Sequence, residues 1–73
     1  MTDDELLTRI VTDPSILDGK PTIRGTRLSV AYILNLFAHG ATSEEILGEY
    51  AGLVADDMRA CFLYATRKLT DKS

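Results

Sequence analysis

Few residues in this chain have the types and spacings that chemistry needs, and most of those have a plainer use. His39 has no Ser, Cys or carboxylate at a catalytic spacing, and it falls where a helix would end and free carbonyls want a donor. Cys61 is the only cysteine, so it forms no internal disulfide, and its apolar surroundings suit a small core residue. Glu44-Glu45 and Asp56-Asp57 are neighbouring acids that point apart on a helix, so neither pair makes a metal site. Both suit the positive end of a helix dipole. Gly19-Lys20 lacks the upstream glycine and the following Ser or Thr of a phosphate loop. No catalytic, metal or cofactor constellation is left, and the chain reads as a non-enzyme.

What does remain is positive charge. Lys20, Arg24 and Arg27 crowd the ten residues from Gly19 to Leu28, and Arg59, Arg67 and Lys68 lie near the other end. Such groups have two uses. They can pair internally with Asp13, Asp18 or an acidic helix, or they can meet phosphates or an acidic partner. Residues 1–18 carry −4, 19–28 carry +3, 29–57 carry −5 and 58–73 carry +3, for a net charge of −3. That balance disfavours tight non-specific nucleic-acid binding, yet one face would be positive if the Gly/Pro loop met the last helix.

The elements that position these groups follow from local signals. Thr2 and Glu5 have capping-box spacing, so residues 2–9 can begin a helix of at most two turns. Ile10-Val11-Thr12 is β-branched and reads as a short strand, stopped by Asp13-Pro14-Ser15, with a second turn at Asp18-Gly19. An arm this short must pair with Thr22–Ile23, with Arg27–Leu28 or with another chain. Gly25 marks a tight turn needing φ > 0.

A helix is expected over about Val30–Ala38, with Ser29 as N-cap, a Leu28/Ile33 staple and Gly40 past its end. A short second helix follows from the Thr42/Glu45 capping box to about Tyr50. Ala51-Gly52-Leu53 leads into the longest helix, about Ala55–Leu69, whose N-cap position holds Val54, a residue with no side-chain acceptor. On that helix Met58, Cys61, Phe62, Ala65 and Leu69 form one apolar face, and Ala60, Leu63 and Tyr64 a second. Two faces exceed what one small core covers, so Ala60, Leu63 and Tyr64, with strand residues Ile10 and Val11, are candidate interface residues.

The whole is one domain of 73 residues: a β arm and loop over 1–28, three helices over 29–69, and a tail at 70–73. So small a core has little stability of its own, and a homodimer would supply more. No leader-like n-region and no run of about 20 apolar residues occurs, so a cytoplasmic protein without membrane contact is expected. Two helices joined by a Gly-containing turn and preceded by a third suggest a helix-turn-helix layout.

The run Asp18-Gly-Lys-Pro-Thr-Ile-Arg-Gly-Thr-Arg-Leu-Ser-Val30 resembles the G-x-P-x-I-x-G-T-R-[IL]-x-V signature of the family labelled "domain of unknown function 433". The likeness continues through Phe37–Gly40, Thr42-x-Glu44-Glu45-Ile46-Leu47, Tyr50-x-x-Leu53, and Asp56-Asp57-x-x-Ala60 to Ala65. It implies a mainly α, three-helix, homeodomain-like helix-turn-helix fold with a short N-terminal β arm or hairpin. It also implies an antitoxin of the VapB type, which neutralises a PIN-like ribonuclease toxin and regulates its own operon. On that reading Lys20, Arg24, Arg27, Arg59, Arg67 and Lys68 are the candidate DNA contacts. The alternative is a protein-interaction or dimerisation module that binds no DNA; the acidic start of the last helix, Asp56-Asp57, favours it. Two positions depart from the family pattern: Ala51 stands where members carry Pro, and Val54 where they carry Thr. The long C-terminal extension of many such antitoxins is not expected here, so inhibition would use the folded surface.

Overall fold

The computed structural model describes residues 1–71. Helix α1 (Asp3–Leu7) starts as its capping box requires: the Thr2 hydroxyl accepts the Glu5 N–H at 3.2 Å, and the Glu5 carboxylate accepts the Thr2 N–H at 3.1 Å. Strand β1 (Ile10–Val11) pairs antiparallel with β2 (Thr22–Ile23), with Ile10 opposite Ile23 and Val11 opposite Thr22. Of the possible partners for the arm, the chain therefore uses the nearer limb of its own loop. The Arg27–Leu28 limb closes on the other side of β2. The Ile23 N–H donates to the Leu28 carbonyl at 3.0 Å, and Thr22 bridges to Ser29.

Between those limbs Gly25 sits at φ +80°, and the Thr26 N–H donates to the Ile23 carbonyl at 3.0 Å, which makes this a turn that a Cβ would strain. Thr26 locks it: its hydroxyl donates to the Ile23 carbonyl at 2.7 Å and accepts the Leu28 N–H at 3.0 Å. Upstream, a single 3-10 turn at Leu17–Gly19 brings the chain back from the arm.

Helix α2 (Val30–Ala38) is capped by Ser29, whose hydroxyl accepts the Tyr32 N–H at 2.9 Å. Helix α3 (Ser43–Glu49) carries the Thr42/Glu45 capping box. Residues 50–54 turn the chain into helix α4 (Ala55–Thr70). Ile23, Val30, Ile33, Ile46, Leu53, Met58 and Cys61 form the core, where β2 meets the three larger helices. The architecture is mainly helical with one small antiparallel hairpin, and four helices rather than three stand among the described residues.

The fourth of these, α1, changes the reading of α4. It lies along α4 more extensively than α2 or α3 do. The buried arc of α4 runs through Asp57, Met58, Ala60 and Cys61, while Phe62 is 46% and Leu69 77% exposed. Ala60 is therefore interior to the chain and is not available to a second one. Leu63 and Tyr64 are half-buried, as are Ile10 and Val11, and both Ile10 and Tyr64 pack against the core. Phe62, assigned to the core face from the sequence, instead stacks on Phe37 at its edge, ring centroids 4.9 Å apart. The tail also begins later than expected, since Thr70 is helical; residues 72 and 73 of the expected tail lie outside the described residues.

Candidate interaction surface

The six cations separate into spent and unspent groups. The Arg24 guanidinium donates to the Thr8 carbonyl at the end of α1, while its backbone N–H donates to the Arg9 carbonyl at 2.7 Å. A cation at a helix C-terminus is favourable, and here it ties the loop to α1. Arg59 lies 3.5 Å from Asp56, one turn back on its own helix. Arg67 reaches Asp3 at 3.1 Å, joining the last turn of α4 to the first of α1. Among the described residues neither Asp13 nor Asp18 forms an ion pair with a cation of the loop. Asp13 instead accepts the Ser15 N–H and hydroxyl at 2.9 and 2.7 Å. Those two bonds hold the Asp13 carboxyl below its ordinary pKa, the backbone bond contributing more.

Lys20 and Arg27 are exposed and make no side-chain hydrogen bond or ion pair among the described residues. Among the described residues Lys68 makes no ion pair, and its ammonium lies 5.4 Å from the centre of the Tyr64 ring. Lys20 and Lys68 line one cleft of about 230 Å³ between the first half of α2 and the second half of α4. Its other lining residues are Pro21, Ser29, Val30, Ala31, Leu34, Tyr64 and Ala65, with no acid among them. On the far side of Lys20 a second, more polar hollow is lined by Leu17, Asp18, Arg27, Ser29 and Tyr32. The Tyr32 hydroxyl there is already engaged, 2.5 Å from that of Tyr50, a bond that raises the Tyr50 pKa. The loop and the last helix thus meet through Lys20 and Lys68, while Arg24, Arg59 and Arg67 face elsewhere.

Arg9 escaped the sequence reading. Its guanidinium lies 3.2 Å from Asp57 and 3.9 Å from Asp56, and Asp57 also accepts the Val54 N–H at 2.9 Å. Asp57 is thereby a buried linchpin between the arm and the start of α4, and it supplies the half of a capping box that reaches back to the Val54 N–H, leaving the half that Val54 cannot provide unfilled. The signal available was the position of Asp57 at the third residue of a helix lacking an N-cap acceptor. With Glu5, Thr8 and Arg24 these groups line a hollow of about 410 Å³. Both of its arginines are occupied by oxygens of this chain, so it reads as structural bracing. Among the described residues no cluster of three or more His, Cys, Asp or Glu side chains could hold a metal, and no helix is long and apolar enough to cross a membrane.

Comparison with known proteins bears on the fold and the family. The crystal structure of a DUF433 member protein from Anabaena variabilis ATCC 29413 superimposes with a TM-score of 0.81 at 29% identity, covering 93% of this chain and 67% of that one. No curated protein matches. The family model described as "Protein of unknown function (DUF433)" matches residues 10–65, a span running from β1 to the middle of α4 and holding the turn at Gly25, the core and most of the cleft. With most of its length matched and the same fold in a solved member, this chain belongs to the DUF433 family.

Proposed function

We propose that this chain is a protein-interaction module, acting in the antitoxin manner that its family resemblance implies, and that its working face is the cleft between α2 and α4. The observation that carries this reading is the convergence of Lys20 and Lys68 on a cleft whose walls are almost wholly apolar. An apolar floor with a charged rim is the anatomy of a protein contact; phosphate binding needs the charge and not the floor. The partner would be a toxin of the PIN-like ribonuclease kind, expected from the adjacent reading frame. The test is co-expression with that neighbour. The two should co-purify, Lys68→Glu should weaken the complex, and the neighbour's ribonuclease activity should return as it dissociates. A complex indifferent to Lys68→Glu places the contact elsewhere, and no complex at all removes the reading.

Operator binding is the second reading, favoured by Lys20 and Arg27, two cations near the start of α2 that form no ion pair among the described residues. On this view α3, the 50–54 turn and α4 act as a homeodomain-like helix-turn-helix, in a homodimer. Against it stand Asp56 at the start of α4 and the exposed Glu44, Glu45 and Glu49 on α3, which would face phosphates. Replacing Lys20 and Arg27 by Ala should flatten the slope of log affinity against log salt by about 0.9 for each phosphate no longer neutralised. Absence of salt-sensitive binding to the promoter of its own operon removes DNA from the account.

A further inference from the structure

We propose that the cleft between α2 and α4 receives an acidic amphipathic helix of the partner, one large apolar side chain entering between Leu34 and Tyr64 while flanking carboxylates meet Lys20 and Lys68. This rests on the interaction-module reading and adds the chemistry of what is bound.

Size is the first argument. At about 230 Å³ the cleft falls below the roughly 300–1,000 Å³ of pockets that enclose small molecules, so it takes a side chain or two rather than a free ligand. Shape is the second. Residues of two helices, α2 and α4, supply most of its lining, and a groove between two helices is what a third amphipathic helix fills, using anchors at i and i+3 or i+4. Charge is the third. The two lysines belong to residues 48 positions apart in sequence, they line the same cleft, and among the described residues no carboxylate lines it.

Lys68 is also pre-positioned. Its ammonium lies over the ring of Tyr64, another lining residue of the cleft, and a lysine so placed can lend its aliphatic stem to apolar contact while its head stays in water. A basic or neutral segment would leave both ammonium groups without a counter-charge as the interface dried. An acidic one converts that cost into charge-assisted hydrogen bonds. The acidic elements of the same molecule do not fill the role, because Glu45 and Glu49 of α3 line a different hollow, with Leu36 and Ile46.

The experiment uses the full chain and labelled synthetic helical peptides of about 15 residues, near the length at which isolated helices begin to hold. One carries Leu at i and i+4 flanked by Glu, a second replaces both Leu by Ala, and a third replaces Glu by Lys. Fluorescence anisotropy should detect binding of the first alone. Lys20→Glu and Lys68→Glu should each weaken it about tenfold, the scale of about 1.4 kcal/mol. The double variant should prefer the Lys peptide. Ala31→Arg, at an exposed position on the cleft wall, keeps the rim positive but fills the space, and it should abolish binding with the denaturation midpoint unchanged.

Equal binding of the Leu and Ala peptides, or binding untouched by Ala31→Arg, overturns the proposal. If the co-expressed neighbour binds through Lys68 while no acidic peptide does, the module reading stands and the acidic-helix partner falls. If Ala31→Arg instead dissociates a dimer of this chain, the occupant is a second copy and the proposal is wrong.

Discussion

At the scale of single residues, the most instructive position is Val54. Its side chain is 48% exposed and makes no cap, and the Asp57 N–H behind it has only the backbone carbonyl of Val54 for a partner, at 2.9 Å. Val54→Thr should stabilise the fold by about 0.5–2 kcal/mol, seen as a higher denaturation midpoint at unchanged m-value, because a hydroxyl there reaches the free amides of the first turn. A lower midpoint in urea would mean that the valine methyls do packing that the threonine cannot replace. Cys61 makes the opposite point. Burial, with a smaller contribution from the Asp57 charge, pushes its thiol from an ordinary 9.0 up to about 12. The unfolded chain ionises first as pH rises, so this group's contribution to stability is complete below pH 9 and is lost between 9 and about 12. At pH 8.5 the native thiol should react with iodoacetamide only as fast as the chain opens. Labelling at the rate of a free thiol would contradict its burial.

At the scale of elements, α4 is held from two directions. Asp57 anchors its start to Arg9, and Arg67 anchors its end to Asp3. The two anchors differ in worth. Both partners of the second are largely exposed, and such pairs contribute about 0–1 kcal/mol, so packing of α1 and not this bridge fixes the end of α4. Asp57 is buried, and its loss leaves both the Val54 N–H and the Arg9 guanidinium short of an acceptor. Asp57→Ala should cost about 1–3 kcal/mol, and Asp57→Asn less, because the amide oxygen still accepts from Val54. Asp56→Ala, at a half-exposed site, should stay within about 0.5 kcal/mol. Urea titrations that rank Asp56 with Asp57 would remove the linchpin role.

For the molecule as a whole, the question is which surface a second chain would use. Ala60 lies inside, and the large apolar side chains of α4 that stand exposed are Phe62 and Leu69, seven positions apart on its solvent side, with Phe37 of α2 stacked against Phe62. A small domain with two large side chains so placed gains from covering them. Phe62→Glu should turn any self-association into a folded monomer by sedimentation, without weakening a partner held at the Lys20/Lys68 cleft. A monomeric wild type, or a dimer indifferent to Phe62→Glu, would show that this face is left uncovered.

Local signals determined the elements, because caps and turns act over three or four residues. The Thr2, Ser29 and Thr42 caps, the turn at Gly25 and the bounds of α2 all lie where the sequence places them, and the short strand at Ile10–Val11 was legible in its β-branched run. Tertiary structure alone decided which faces were spent. That Ala60 is buried, that Asp57 turns inward to Arg9, and that Arg24 is drawn to the Thr8 carbonyl while Lys20 shares a cleft with Lys68 depend on how the arm and the helices pack. The arm and α1 meet α4 through residues some 48 to 64 positions apart in sequence. No local pattern carries that information, because a helix's periodicity reports that it has an apolar side and not how much of that side its neighbours will cover.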